Sequence, residues 1–312
     1  MKWLKKNNNK GRIGLGFTDK FVSVVVISAA AQSKPRVTLA KVLQTSLLKG
    51  AELKQLVTQA ALKSLPCNVV LSAEQYQILQ VDKPNMPENE IKSSLKWKVK
   101  ELIEYQVEHA SVDGIDIPGD PESPNRLPLM FAICARNNHL AEVSNAVLDA
   151  GLNLKSIDVY AMAQRNVAAL LEHEQRAIAM VSILERGFLI TFSAKGELYH
   201  TRFIELDKSF LRNLDDELFS NNFDRLVLEL QRSLDSFDRQ FPFLSINKLL
   251  VTPDSGALRL VEGLKKSLYV PVDSFNLTDI VDFPEGQDFS GLELQSMLMP
   301  ALGAALRIES VL

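Results

Sequence analysis

Alternating apolar and polar positions at the start of the chain predict a β-hairpin that opens an α/β unit. Residues 11–31 predict two strands joined by a turn at 18–20, because the apolar positions after the turn are β-branched and bounded by polar residues. Helical spacing of apolar residues predicts a helix at 51–64. The segments at 37–48 and 68–72 predict further strands, the second of them buried.

The middle of the chain predicts a second unit, which begins near residue 73. A strand ends at Pro84, and a strongly amphipathic helix follows over 86–105. The apolar face of this helix is predicted to consist of Ile91, Leu95, Val99, Leu102 and Ile103. The segment 113–128 is rich in proline, glycine and acidic residues and predicts a loop. We then expect a strand at 129–135, a helix at 138–150 that stops at Gly151, and a strand and a helix within 154–171.

The last part of the chain predicts a third unit, with three strands over 176–205 and a long amphipathic helix over 219–241. A strand at 246–252, a helix at 257–268 and a short strand at 270–277 follow. An apolar helix over 292–307 is predicted at the end, although it contains Pro300. The strands at 176–205 repeat the opening at 11–31, which indicates a duplicated α/β core.

Composition is typical of a soluble globular protein. The 312 residues suggest about two domains, and 46% of them are hydrophobic, enough for a sizeable core. A net charge of −3 gives no indication of a nucleic-acid-binding surface. No apolar segment has the length of a membrane span or of a signal-peptide core. Cys67 and Cys134 lie in apolar runs and are predicted to be reduced core thiols. We therefore expect a cytoplasmic protein.

Signatures of catalysis are not found in the sequence. The four histidines are scattered, without HExxH or a Cys–His spacing suited to zinc. The GLG at 14–16 lies between two predicted strands, which argues against a dinucleotide-binding loop. Neither GxxxxGK[ST] nor GxSxG occurs. These observations favour a protein that binds other proteins over an enzyme.

The segment 81–105 carries a resemblance to a known family. A strand that ends in proline is followed by a helix with a Met-Pro-Glu-x-Glu-like start and a tryptophan. The matching residues are Pro84, Met86, Pro87, Glu90, Ile91 and Trp97. Similar segments follow in the same order at 128–171, 226–237 and 298–307. In this combination the chain resembles the PilM family of type IV pilus assembly proteins, especially its members from mannose-sensitive haemagglutinin (MSHA) pilus systems.

The resemblance implies an α/β fold of the actin-like, FtsA-like (ribonuclease H-like) type. Such a fold has two duplicated halves and, in this family, an inserted small α+β domain. On this basis the first half covers 1–72 and is completed by 158–175 and the C-terminal helix 292–308, the small domain covers 73–157, and the second half covers 176–291.

The resemblance also predicts a nucleotide site that has lost its chemistry. In ATP-binding members, loops between the halves bring acidic groups to Mg²⁺ and glycine backbone to the phosphates. This chain has Gly16 and Thr18 where the first loop would read Asp-x-Gly, and Ser182 where the second loop would have its acid. The third loop keeps only Gly256 of a Gly-Gly turn. We therefore expect no hydrolysis, no metal and no cofactor, and leave weak ATP binding open.

The function implied by the resemblance is that of a cytoplasmic scaffold, peripheral to the inner membrane. Its partner would be the N-terminal tail of a PilN-like inner-membrane protein, held in a groove beside the small domain. Candidate contacts are Pro84, Met86 and Trp97. Trp97 is expected to pack in the core, where Trp97→Ala would cost about 3–5 kcal/mol; an exposed anchor for a partner is the alternative. A pilus motor ATPase is a further candidate partner, and homo-oligomerisation is left open.

Three alternatives stay open at this point. An active actin-like ATPase would need the acidic residues that the loops lack. A GspL-like adaptor of a type II secretion system, which recruits a motor ATPase, would continue into a transmembrane helix; the end of the chain at Leu312 favours the separate PilM-like arrangement. The basic N-terminus offers direct contact with anionic lipid as another route to the membrane, through Lys2, Lys5, Lys6, Lys10 and Arg12.

Overall fold

A computed structural model describes residues 11–28, 34–46, 50–120, 122, 127–172, 176–212 and 216–307. The strands are β1 (Arg12–Phe17), β2 (Val22–Ile27), β3 (Val37–Leu43), β4 (Pro66–Leu71), β5 (Tyr76–Asp82), β6 (Ala110–Ile117), β7 (Leu129–Arg136), β8 (Asn153–Val159), β9 (Ala177–Ile183), β10 (Gly187–Ala194), β11 (Glu197–Glu205), β12 (Ile246–Val251) and β13 (Val272–Ser274). The helices are α1 (Ala51–Gln59), α2 (Glu88–Val99), α3 (Asn137–Asp149), α4 (Tyr160–Ala168), α5 (Asp216–Gln240), α6 (Ala257–Ser267), α7 (Leu277–Ile280) and α8 (Leu292–Ala305). Within these ranges, none of the helices has the length and apolar character needed to cross a membrane.

Within the described residues, the main strands form two five-stranded sheets that share one topology. In the first sheet, of order β3-β2-β1-β4-β8, the first three strands are antiparallel and the last two join in parallel. The second sheet, of order β11-β10-β9-β12-β13, repeats the same directions. The duplicated core predicted from the recurring strand openings is therefore present.

Helices α4 and α8 pack against each other and join the two sheets. Helix α8 covers β1 and β2, and α4 contacts β9 and β10 of the other half. Val25 and Met180, one from each sheet, belong to a single apolar cluster with Leu298 and Leu302 of α8. All residues of β2 are buried, as expected for a strand covered on both faces. The halves are thus held together by apolar burial around a shared pair of helices.

A three-stranded antiparallel sheet, of order β5-β7-β6, is inserted between β4 and β8 of the first half. Helix α2 packs on it through the predicted residues Ile91, Leu95 and Val99. Cys134 lies in this small core and Cys67 in the main core, and both are buried free thiols, which confirms the prediction for the two cysteines. We call this unit, β5 to α3, the small domain.

The predicted loop at 113–128 is wrong in its first part, because residues 113–117 are the last five residues of β6. Gly114 was one of the residues that suggested a loop. A Cβ at this position would lie 2.6 Å from Met130 Cε and 2.8 Å from Leu95 Cδ1. The glycine therefore permits α2 to approach the strand closely, a role that glycine often has inside strands.

The predicted helix at 86–105 is too long at its C-terminal end. Helix α2 ends at Val99, and the N–H groups of Leu102 and Ile103 both donate to the Val99 carbonyl, at 2.9 and 3.1 Å. This tight turn carries Leu102 away from the predicted apolar face, and its side chain is exposed. Ile103 remains buried, as predicted.

Candidate functional site

The first predicted nucleotide loop is the turn between β1 and β2, and its own side chains satisfy its donors. Thr18 Oγ1 accepts hydrogen bonds from the backbone N–H groups of Lys20 and Phe21, both at 3.2 Å. The Thr18 N–H donates to the Phe21 carbonyl at 2.9 Å. A phosphate held by backbone amides needs such N–H groups to be free. In this turn the N–H groups of Thr18, Lys20 and Phe21 already donate to oxygen atoms of the turn.

Gly16 lies inside β1, where helix α8 packs on the strand. A Cβ on Gly16 would lie 2.6 Å from Pro300 Cγ, and one on Gly14 would lie 1.9 Å from the carbonyl oxygen of Ala301. Both glycines are thus required for the close approach of helix and strand. The predicted helix at the end of the chain forms with Pro300 inside it, and the proline ring packs over Gly16.

Ser182, predicted to stand in the second loop, is a buried residue of β9 that hydrogen bonds to α4. Its hydroxyl donates to Gln164 Oε1 at 2.8 Å. Gln164 Nε2 in turn donates to the Met180 carbonyl at 2.5 Å and to Thr191 Oγ1 at 2.9 Å. Ser182 is therefore part of a buried polar network that ties α4 to the second sheet.

Gly256, the remnant of the third loop, is the residue from which α6 starts. Its N–H donates to Asp254 Oδ1 at 2.8 Å, and Asp254 Oδ2 accepts from Lys208 Nζ at 3.5 Å. The Asp254 carboxylate is buried and supplies the negative charge that a helix N-terminus favours. An anion at this helix start would have to displace that carboxylate.

The tips of the first hairpins of the two halves meet. Lys20 Nζ lies 2.9 Å from Glu185 Oε1, and both side chains are largely exposed. This hydrogen bond to Lys20 holds the pKa of Glu185 below its ordinary value, with smaller contributions from Lys208 and Arg212. Lys20 and Lys208 are thus engaged with carboxylates of the protein, Glu185 and Asp254, and Arg212 Nη2 donates to Ser255 Oγ at 2.9 Å. In the part of the chain that the structure describes, no three His, Cys, Asp or Glu side chains are grouped so that they could hold a metal ion.

The three predicted partner contacts do not form one site. Pro84 is buried, and Met86 is part of the turn that precedes α2. Trp97 lies about 14 Å along the helix axis from Glu88, the first residue of α2, at 1.5 Å per residue. Its expected place in the core is wrong, because 76% of the residue is exposed. At about 100° per residue, position 97 points away from the buried positions Leu95 and Val99.

A pocket that the sequence did not suggest lies at the base of the small domain, with a cavity volume of about 340 Å³. It is formed by the start of β5, the turn after α2, the end of β7 and the start of α3. Its lining residues are Glu74, Gln75, Tyr76, Gln77, Glu104, Tyr105, Arg136, Asn138, His139 and Glu142. These residues are far apart in sequence and polar, so no local pattern distinguishes them from ordinary surface positions.

Several polar atoms of this pocket are buried without a protein partner. Among the described residues, Gln77 Oε1, Tyr105 Oη and His139 Nε2 have no hydrogen bond although each atom is inaccessible to solvent. Buried polar atoms normally have a partner, and leaving one unpaired costs roughly 1–3 kcal/mol. The pocket is thus lined by residues whose buried polar atoms a ligand could pair with after a shift of their side chains toward the cavity.

Charged groups surround these atoms. The guanidinium of Arg136 lies over the Tyr105 ring, 4.1 Å from its centroid. The Tyr105 hydroxyl can donate at neutral pH, because the ordinary pKa of tyrosine is about 10 and burial raises the pKa of Tyr105 further. Glu74, Glu104 and Glu142 are on the rim. The pocket therefore offers both donors and acceptors inside an acidic rim.

Comparison with known proteins identifies the fold. No protein-family model and no curated protein sequence matches the chain. Among solved structures it is similar to the PilM–PilN type IV pilus biogenesis complex, with a TM-score of 0.75 and 20% identity over 95% of this chain and 97% of that chain. It is also similar to a Bacteroides thetaiotaomicron protein of unknown function with an actin-like ATPase fold, with a TM-score of 0.52 and 10% identity over 90% of this chain and 96% of the other.

A third similar structure is the cytoplasmic domain of EpsL, an inner membrane component of the type II secretion system of Vibrio cholerae. Its TM-score is 0.51 at 13% identity, over 94% of this chain and 95% of that chain. Together with the duplicated sheets, these similarities confirm the predicted actin-like α/β fold with an inserted small domain.

Proposed function

We propose that this protein is a cytoplasmic scaffold of type IV pilus biogenesis that binds the N-terminal tail of a PilN-like inner-membrane protein. The structural similarity to the PilM–PilN complex over 95% of the chain supports this proposal, as does the order of the PilM-like segments in the sequence. The same segments favour the MSHA pilus system, in which the corresponding PilM-like protein is MshI.

The observation that carries the proposal is the pocket with unpaired polar atoms at the base of the small domain. An extended peptide brings N–H donors and C=O acceptors at every residue. After a shift of these side chains toward the cavity, Gln77 Oε1 would accept from a peptide N–H, and the Tyr105 hydroxyl would donate to a peptide carbonyl. A tail bound there would remove the cost of the buried unpaired groups, which is a source of both affinity and specificity.

The acidic rim suits the expected chemistry of the tail. Cytoplasmic segments next to a membrane span are enriched in lysine and arginine. The carboxylates of Glu104 and Glu142 would attract such a segment and increase its association rate. The tail becomes ordered on binding, so its affinity depends on contacts that exceed the entropy cost.

We further infer that the protein does not act as an ATPase. The inference is supported by the first loop, where Thr18 occupies the backbone donors, and by the third loop, where Asp254 caps the helix start. At the second loop, Ser182 is engaged with Gln164. The residues present do not suit Mg-ATP, since each position that would meet a phosphate or its metal already has an intramolecular role.

The test measures binding of a synthetic peptide that corresponds to the tail of the PilN-like protein, by calorimetry, to the full chain and to Tyr105→Phe. Loss of the hydroxyl should weaken peptide binding about fivefold, the value of one hydrogen bond of about 1 kcal/mol. The free protein should be as stable as before or slightly more stable, because the variant removes a buried polar atom that has no partner among the described residues.

Tyr269→Phe is the matched control. Its hydroxyl donates to Asp238 at 2.7 Å in the second half, so its removal should leave peptide binding unchanged. A separate experiment deletes residues 1–10, which contain most of the basic N-terminus. Recruitment to membranes that contain the partner should stay intact, because the proposed attachment is the partner's tail and not direct lipid contact of these residues. Equal peptide affinity of Tyr105→Phe and the unaltered protein would contradict the assignment of the pocket, and no binding at all would contradict the proposed function.

A second candidate is favoured by the similarity to the cytoplasmic domain of EpsL. It is an adaptor of a type II secretion system that recruits the motor ATPase of that system. The two candidates differ in their partner, so capture of a purified secretion motor ATPase without binding of the pilus tail peptide would support the adaptor instead.

A further inference from the structure

The outward face of helix α2 exposes a large aromatic side chain. The helix buries Ile91, Leu95 and Val99 against the small sheet, so the opposite side faces solvent. Trp97 lies on that side with 76% of its surface exposed. Tryptophan combines a large apolar ring with an N–H donor, and it is enriched at surfaces that contact another molecule or a membrane interface.

Lysines surround this tryptophan. Lys96, Lys98 and Lys100 are all exposed, and Lys100 Nζ lies 5.6 Å from the centre of the Trp97 ring. Within the part of the chain that the structure describes, none of these lysines takes part in an ion pair. The two carboxylates within the helix are in its first turn, at the other end, and Glu101 and Glu104 follow the helix in the next turn. We refer to Lys96, Trp97, Lys98 and Lys100 as the α2 patch, which carries three positive charges.

We propose that the α2 patch is a membrane contact that binds anionic phospholipid headgroups. The patch is on a helix face, which is convex, and a layer of mobile headgroups can adapt to a convex surface. Its residue types agree with this partner: tryptophan is enriched at membrane interfaces, and lysine-rich faces bind anionic lipid. Protein–protein interfaces, in contrast, are depleted in lysine. Complementary charge thus selects an anionic lipid surface.

The contact is weak when it acts alone. Each lysine near an anionic surface contributes about 1 kcal/mol, and the indole adds the burial of its ring at the interface. Once another attachment holds the protein at the membrane, the effective concentration of lipid around the patch is high and the contact forms readily. The patch uses residues outside the polar pocket, so this inference does not rest on the proposed tail binding.

The experiment is co-sedimentation of the full chain with vesicles of pure phosphatidylcholine and with vesicles that also contain phosphatidylserine. We expect binding to the anionic vesicles only. Replacing Lys96, Lys98 and Lys100 together by glutamine should reduce the partition coefficient roughly 100-fold, and Trp97→Ala should reduce it roughly tenfold. Melting temperatures should stay unchanged, since these side chains are exposed.

A matched control removes the same charge elsewhere. Lys63, Lys155 and Lys266 are exposed and lie outside the patch, so their joint replacement by glutamine should leave vesicle binding almost unchanged. Equal losses in the two triple variants would overturn the proposal, because binding would then follow net charge alone. Absence of binding to anionic vesicles would also overturn it. Patch variants that bind vesicles normally but lose an acidic protein partner would assign the patch to that protein instead.

Discussion

Restoring an acid in the second loop should damage the protein rather than create a nucleotide site. Ser182→Asp places a carboxylate at the position where the predicted second loop would have its acid. Ser182 is only 1% exposed, and its hydroxyl donates to Gln164 Oε1 at 2.8 Å. An ionised aspartate cannot donate, so its oxygens would face the oxygen of Gln164 in a buried environment.

The expected cost follows from this geometry. Ser182→Ala loses one hydrogen bond and leaves Gln164 Oε1 without its partner, which together cost about 2 kcal/mol. Ser182→Asp adds the burial of a charge that has no cation beside it, or the uptake of a proton to avoid that charge. Removing one member of a buried charge pair costs roughly 3–5 kcal/mol. We therefore expect Ser182→Asp to lose about 4 kcal/mol of unfolding free energy.

Urea denaturation and calorimetry with Mg-ATP test this reasoning together. Stability should fall in the order unaltered protein, Ser182→Ala, Ser182→Asp, and no variant should bind Mg-ATP with a dissociation constant below about 100 μM. Ser93→Asp, on the exposed side of α2, is the control for an added aspartate and should change stability by less than about 0.5 kcal/mol. A stable Ser182→Asp with micromolar affinity for ATP would refute the argument, because position 182 would then face an intact nucleotide cleft.

Two other changes probe the core. Gly14→Ala should cost about 3 kcal/mol, since its Cβ would lie 1.9 Å from the Ala301 carbonyl oxygen, whereas Gly119→Ala, at an exposed loop position with open space, should be almost neutral in urea denaturation. Burial lowers the pKa of His200 from 6.5 to about 4. Between these two pH values the unfolded chain binds a proton that the folded protein does not, so the free energy of unfolding is unaffected above pH 6.5 and decreases as the pH falls towards 4. Relative to His200→Gln, the unaltered protein should lose about 2 kcal/mol of unfolding free energy between pH 7 and pH 5 in urea denaturation.

The sequence by itself determined most of the elements and the fold class. Strands such as β2 and helices such as α8 follow from the periodicity of apolar residues, because a buried face must recur at the period of its element. The duplication was visible in the recurring strand openings, and the order of the PilM-like segments indicated the actin-like fold. The resemblance also predicted that Gly16, Thr18 and Ser182 depart from a nucleotide-loop pattern, and this interpretation stays a prediction.

Tertiary structure alone decided what these positions do. Thr18 closes its own turn, Gly16 accommodates Pro300 of a helix almost three hundred residues away in sequence, and Ser182 bonds to α4. The exposure of Trp97 also depended on where α2 packs on the sheet. The polar pocket brings Gln77, Tyr105 and His139 together from three separate elements. Periodicity along the chain reports which face of an element is buried, but it carries no information about which distant side chains meet, because that depends on the packing of one element against another.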